Sequence, residues 1–282
     1  AQERPDQNAD LAVALAISGG GSRASNFGVG IMLGLEQIIQ ENGNNVLQEI
    51  DYLSTVSGGG FAGGAYINSL FEHHYAGKDK KYELNKYVTR RIKEDLQQSF
   101  MGAILKNYLN PTLWFTFADD GDALERTVND KVLGYKRRLS NKSLQDVPQR
   151  SIALGDLFIA KDDTTRQVRF PMMFANGAIM DKMAIFPFCP DILDTYQITS
   201  CTHRLKKYYL NDSYEMPLSV GIKASGSFPV LISNTTLESD FHPDFRFLHV
   251  VDGGLADNYG YETALDVMEQ DNKVKRKIMF IV

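Results

Sequence analysis

Apolar residues in this chain follow two rhythms, and the switch from one to the other marks its first elements. Residues 11–18 (Leu-Ala-Val-Ala-Leu-Ala-Ile-Ser) form a continuous apolar run that stops at Gly19-Gly20-Gly21, after which Phe27, Ile31, Leu35 and Ile38 recur at helical spacing. A short apolar run, a glycine break and a 3.6-residue period predict strand, loop and helix with an apolar face through those four residues. The order repeats at residues 53–64, where the run ending in Val56-Ser57 opens onto Gly58-Gly59-Gly60. A second helix is predicted over residues 58–75, with Ala62, Gly63, Gly64 and Ala65 small enough to lie close on a sheet.

Further along, residues 84–134 are mainly helical in pattern and gather Phe100, Met101, Ile104, Leu105, Tyr108, Leu109, Trp114, Phe115 and Phe117, with Pro111 marking a break into an aromatic loop. Core packing is one reading of this cluster, and a cap that receives acyl chains or touches a membrane is the other. Residues 169–176 predict a strand, residues 186–201 an irregular segment, and residues 218–227 a helix. An apolar strand over residues 247–252 ends at Asp252. Residues 277–282 predict a last strand, and a sheet strand is an unusual place to stop, so the native chain is expected to continue beyond 282. Strands alternating with helices imply a mostly parallel sheet covered on both faces.

Candidate chemistry gathers where strands run into glycines. Ser57, on a tight strand-to-helix turn, has the placement of a nucleophile elbow, where a hydroxyl is held in the open and neighbouring amides are free for an oxyanion. The plainer reading is a glycine-rich connection with an incidental serine. Gly19-Gly20-Gly21-Ser22-Arg23-Ala24 presents amides and a helix N-terminus to an anion. It also satisfies Gly-x-Gly-x-x-Ala, so a dinucleotide site of an oxidoreductase competes, with Glu41 loosely placed as the ribose acid. Asp252, opening onto Gly253-Gly254, is a strand-end acid where active sites of open α/β sheets gather, or else a turn aspartate.

Together these segments resemble the patatin-like phospholipases. The resemblance is carried by Gly19, Gly20, Gly21 and Arg23, by the Ser57 elbow, by Asp252-Gly253-Gly254, and by Ala224-Ser225-Gly226-Ser227-Phe228-Pro229, which is similar to the family's Ala-Ser-x-Ala-x-Pro. One departure is Thr55, where the family elbow Gly-x-Ser-x-Gly has its first glycine. The resemblance implies a three-layer α/β/α sandwich over residues 9–282, with a mainly helical cap-like insertion at about 76–150. It also implies a Ser57–Asp252 dyad without histidine, acting on phospholipid or other lipid esters as a phospholipase A or lysophospholipase. Gly19, Gly20, Gly21 and Gly58 would line the oxyanion and substrate site, and Arg23 would order the loop or meet a lipid phosphate. No cofactor is implied. A lipid-binding or scaffolding domain with a silent dyad is the non-enzymatic alternative.

Histidine placement bears on that dyad. No histidine follows Asp252, so the order serine, acid, histidine fails for that acid, although Asp194 with His242 satisfies it. His73 and His74 are expected at a helix end, and His203, His242 and His249 lack metal-ligand spacing, so no metal is assigned. The net charge of -5 argues against a nucleic-acid partner and removes general attraction to anionic membranes. Any peripheral membrane contact must then come from a local apolar face. No run of 18 apolar residues exists, so no transmembrane helix is predicted. Cys189 and Cys201 are open between pairing and free thiols. A small first residue fits signal-peptidase trimming as well as any other chain boundary, leaving the compartment open between extracytoplasmic and peripheral-membrane settings.

Overall fold

The computed structural model describes residues 10–76, 120–159, 170–203, 206–241 and 246–282. Among them, β1 (Leu11–Ile17) leads through a glycine loop into α1 (Gly21–Gln37), and β2 (Ile50–Val56) leads into α2 (Gly58–Tyr75). After α3 (Asp120–Thr127) and α4 (Tyr135–Ser140) come β3 (Met172–Ile179), β4 (Ala184–Phe188), α5 (Pro190–Thr195), β5 (Ile198–His203) and β6 (Lys206–Tyr209). The described chain closes with α6 (Leu218–Ser225), β7 (Thr235–Ser239), β8 (Phe247–Asp252), α7 (Tyr261–Gln270) and β9 (Arg276–Ile281). The cap-like insertion proposed from sequence, with Pro111 and Trp114, lies largely outside the described residues.

One sheet carries all these strands in the order β6-β5-β7-β8-β3-β2-β1-β9, with β4 on β3. It is mixed, which corrects the expectation of a mostly parallel sheet. β9, β1, β2 and β3 are parallel, whereas β4, β8, β7, β5 and β6 join by antiparallel pairing. The segment expected to be irregular holds β4, α5 and the start of β5. Pro187 is tolerated because β4, among the described residues, pairs on one side only, and Pro190 starts α5, where its missing N–H costs nothing.

The pairing registers produce a seam. β2 meets β3 at residues 172–176, β4 meets it at 175–179, and β8 meets it at 177–179. Because β4 overlaps both others, β2 and β8 must share the opposite edge of β3. They approach along it from opposite directions. Val56 stands opposite Asn176, and Asp252 opposite Gly177, so the C-terminal ends of β2 and β8 arrive at adjacent residues.

Layers follow from side-chain alternation. Leu53, Thr55 and Met173 face α2 at Gly63, while Ser54 faces Gly260 at the start of α7. Helices α1, α2 and α6 therefore cover one face and α7 the other. The core is the sandwich between them, and β2 is buried along its whole length. On α1 the buried side is Ser25, Gly28, Val29, Met32 and Leu35, so the helix is rotated from the predicted face and Phe27 and Ile38 are exposed. Gly28 explains the rotation: a glycine turned inward brings the helix against Ile17, which an apolar tally cannot register.

Candidate active site

Ser57 is the residue between β2 and α2, and its φ of 48° lies in the left-handed region that few non-glycine residues adopt. Such a turn lifts its side chain clear of the backbone and is held by its neighbours. The Ser57 N–H donates to Ser225 Oγ at 2.8 Å, and Ser225 Oγ donates to the Asn176 carbonyl at 2.6 Å. Ser57 Oγ donates to Asp252 Oδ2 at 2.8 Å. The bond spans 195 positions of sequence, and the seam makes it local in space.

Asp252 is 5 % exposed. Its Oδ1 accepts the Gly254 N–H at 2.8 Å, and its own N–H donates to the Ser227 carbonyl at 3.0 Å. Burial raises its pKa above the ordinary carboxylate value, opposed by the Gly254 amide and the Ser57 hydroxyl. Burial wins, so the carboxylate is a better base than a solvated aspartate. The next residue has to be glycine, since a Cβ on Gly253 would collide with the Asn176 carbonyl.

The two helix starts meet beside this pair. Gly58 packs against the backbone of Gly21 so closely that a Cβ would overlap the Gly21 carbonyl. Gly20 and Gly21, at φ 141° and 63°, turn the loop into α1. First-turn amides have no partner inside their own helix, and those of Gly20, Gly21 and Gly58 have no acceptor among the described residues. Two helix N-termini thus direct unpaired N–H groups and the positive ends of their dipoles to one place. Gly19 differs: its N–H already donates to the Asn258 carbonyl at 2.9 Å, which fixes the loop. Arg23 is exposed on the first turn of α1.

The family model for patatin-like phospholipase matches residues 15–265. The chain belongs to the patatin-like phospholipase family. Membership in that family supports lipid acyl hydrolase activity in general terms. No curated protein sequence matches the chain. Among solved structures, the chain is similar to VipD from Legionella pneumophila at 12% identity and a TM-score of 0.36, over 96% of this chain and 50% of that one. It therefore spans about half the length of that protein.

Against the family's elbow pattern, Thr55 is accommodated by Gly63. The threonine is fully buried, and a Cβ on Gly63 would lie 2.8 Å from its Cγ2, so room missing at position 55 is found on α2. The dinucleotide reading loses its acid: Glu41 lies beyond the C-terminus of α1, about 25 Å of helix from the glycine loop. His73 and His74 are in the last turn of α2, about as far from Ser57. His249 Nδ1 pairs with Thr236 Oγ1 at 3.1 Å, and His242 is outside the described residues. Cys189 and Cys201 are separate buried thiols, with burial pushing their pKa values up to about 11 and about 12. A cavity of about 690 Å³ lined by Tyr52, Phe158, Met172 and Phe174 includes neither Ser57 nor Asp252.

Sequence reasoning missed the supports. Asn176 Nδ2 donates to Ser54 Oγ at 2.8 Å and to the Thr55 carbonyl at 3.2 Å, and its Oδ1 accepts from Thr263 Oγ1 at 2.9 Å. Ser54 Oγ donates to the Gly260 carbonyl at 2.6 Å. These buried groups fasten the end of β2, the middle of β3 and the start of α7 together under the elbow. A lone asparagine in the apolar run Met172-Met173-Phe174-Ala175-Asn176 was the available signal, because a polar side chain in a buried strand requires partners.

Proposed function

We propose that this chain is a metal-independent serine acyl hydrolase for lipid esters, of phospholipase A or lysophospholipase type, working through a Ser57–Asp252 dyad. The observation that carries the reading is the 2.8 Å hydrogen bond from Ser57 Oγ to a buried Asp252 carboxylate, on a serine held at positive φ. In the first half-reaction Asp252 Oδ2 takes the hydroxyl proton as Ser57 Oγ bonds to the ester carbonyl carbon. The carbonyl oxygen becomes an oxyanion facing the amides of Gly20, Gly21 and Gly58, whose dipoles need no reorganisation as charge develops. Collapse breaks the ester bond, and protonated Asp252 passes its proton to the leaving alkoxide. In the second half-reaction Asp252 deprotonates a water that attacks the acyl-enzyme, and the fatty acid leaves as Ser57 regains its proton. Arg23, exposed at the mouth of the glycine loop, meets the phosphate of a phospholipid headgroup.

A fluorophosphonate probe tests the reading directly, because it reacts with activated serines and needs no lipid recognition. Labelling at Ser57, located by peptide mass and abolished in Ser57→Ala, is the expected result. A probe that leaves the folded protein unlabelled while the chain cleaves a soluble ester overturns the assignment of the nucleophile.

A further inference from the structure

Immediately after Ser227, whose carbonyl holds the Asp252 amide, the chain makes a tight turn closed by Leu231 N–H to Phe228 O at 3.2 Å and Ile232 N–H to Phe228 O at 3.0 Å. The turn exposes apolar side chains: Phe228 is 52 % exposed, Leu231 51 % and Val230 102 %. Val230 also has φ 73°, a conformation in which a β-branched residue is an outlier and glycine or asparagine would be ordinary. A strained, wholly exposed valine gains nothing from the fold around it, and outliers of this kind point to function. No charged residue occurs from 224 to 237, in a chain that is 23% charged. The other two segments framing the site each expose an apolar group as well, Phe27 (62 %) on α1 and Leu255 (40 %) three residues beyond Asp252.

We propose that the 228–231 turn is the point at which the protein enters an electrically neutral lipid surface, with Phe228, Val230 and Leu231 leaving water for the acyl boundary. The inference rests on the lipid-ester reading of the same site, and it names the surface from which that ester is delivered. Continuity decides between a lipid surface and another occupant, because the turn is covalently next to the residue that holds Asp252, where a lipid ester must arrive. The uncharged stretch fixes the chemistry: binding is apolar, not driven by attraction to anionic headgroups. An apolar contact of three side chains at roughly 25 cal/mol per Å² is enough to change partitioning severalfold or more.

The test uses phosphatidylcholine vesicles and protein carrying Ser57→Ala, so that binding is read without turnover. Flotation of this protein with vesicles is expected, with little dependence on salt. Adding Val230→Asn and Leu231→Asn should lower partitioning about tenfold, while thermal unfolding is unchanged or rises because asparagine tolerates positive φ. In the Ser57 background the same pair should lower turnover of vesicle phospholipid and leave a short soluble ester unaffected. Equal vesicle binding with and without the pair overturns the proposal, and is what a turn covered by another part of this chain would give. So does a parent that ignores vesicles but forms a dimer that the pair disrupts, which would assign the turn to a second copy. Because binding is measured on an inactive serine variant, its failure is separable from failure of the hydrolase reading.

Discussion

The two halves of the sheet are built differently, and the candidate site takes one residue from each. The parallel half, β9-β1-β2-β3, places β1, β2 and β3 almost wholly in the core, where apolar contact on both faces fixes their position. Both halves end in an exposed edge strand, β9 on one side and β6 on the other, but the strand that carries Asp252 is less deeply set than β2: β8 starts exposed and becomes buried only over Val250, Val251 and Asp252. Ser57 is anchored to the half that is hard to move. Asp252 reaches it through three residue pairs, Gly177 with Asp252, Ala178 with Val251 and Ile179 with Val250. A seam this narrow makes activity more fragile than the fold, and the supports on either side of it, Ser225 and Asn176 beside Ser57 and the Ser227 carbonyl on Asp252, matter out of proportion to their size.

Removing one partner from each half gives the largest expected effect. Ser57→Ala and Asp252→Asn should each lower kcat/KM on a soluble ester by about a thousandfold or more, and the double variant should be little worse than either, since the groups act as a unit. Additive losses in a double-mutant cycle would show that the two do not work as one device. Stability should move the other way. A carboxylate with a raised folded pKa contributes stability below its unfolded value of about 3.9, and that contribution is lost as pH rises through the folded value. Near neutral pH the ionised Asp252 is therefore a burden on the fold, and Asp252→Asn should melt at or above the parent temperature at pH 7, the gap closing in acid. Activity depends on the ionised base, so the rate should fall as pH drops through a midpoint above that of a solvated aspartate.

Next in size is Ser225→Ala, which leaves both halves intact and removes the hydroxyl that ties the elbow to β3 on the Ser57 side of the seam. The Ser57 amide and the Asn176 carbonyl lose their shared partner, and the strained elbow is free to relax. A shift approaching 1 Å in a reacting group costs about a hundredfold, so kcat should fall ten- to a hundredfold with KM nearly unchanged. The buried Asn176 carbonyl and the part-buried Ser57 amide left without this partner should lower stability by about 1–3 kcal/mol. Steady-state kinetics on a soluble ester and a denaturant titration read the two effects separately, and equal loss in KM and kcat would make Ser225 a packing residue without a positioning role.

How much of this was legible follows from what glycine and serine say locally and what pairing does not. Both strand–glycine–helix units were readable, because the breaks at Gly19-Gly20-Gly21 and Gly58-Gly59-Gly60 impose themselves on any hydrophobic pattern. Asp252 was readable as a strand end. The direction of β8 was not, since a buried strand has the same alternation whether its neighbour is parallel or antiparallel, and the contact between β8 and β3 is set by residues more than 70 positions apart. Ser225 stood inside the segment matched to Ala-Ser-x-Ala-x-Pro, but that its hydroxyl accepts the Ser57 amide depends on folding that brings residues 168 positions apart together. β4 was obscured by Phe186-Pro187-Phe188, where proline argues against a strand until the strand is known to lie at an edge. The face of α1 was misread because the residue turned inward is Gly28, which carries no hydrophobic signal at all.

The smallest expected effect belongs to the antiparallel half alone. Glu238 on β7 accepts from Ser200 Oγ at 2.8 Å and from Arg246 at 2.8 and 3.0 Å, and it is paired with Lys207. The Lys207 ammonium, followed by the Ser200 hydroxyl and the Arg246 guanidinium, pulls its pKa down to about 2. A carboxylate depressed in the folded state stabilises above its unfolded pKa of about 4.3, and that support disappears as pH falls towards 2. Solvent screens such a pair, so Glu238→Gln should lower Tm only slightly at pH 7 and at moderate salt, with the difference from the parent vanishing near pH 2. Soluble-ester turnover at 25 °C should be unchanged, because the lost contacts lie at the start of the β7–β8 ladder while Asp252 is held at its end. A clear loss of turnover with little change in Tm would show that the antiparallel half transmits strain along β8 to the seam, and that the two halves are less independent than their packing implies.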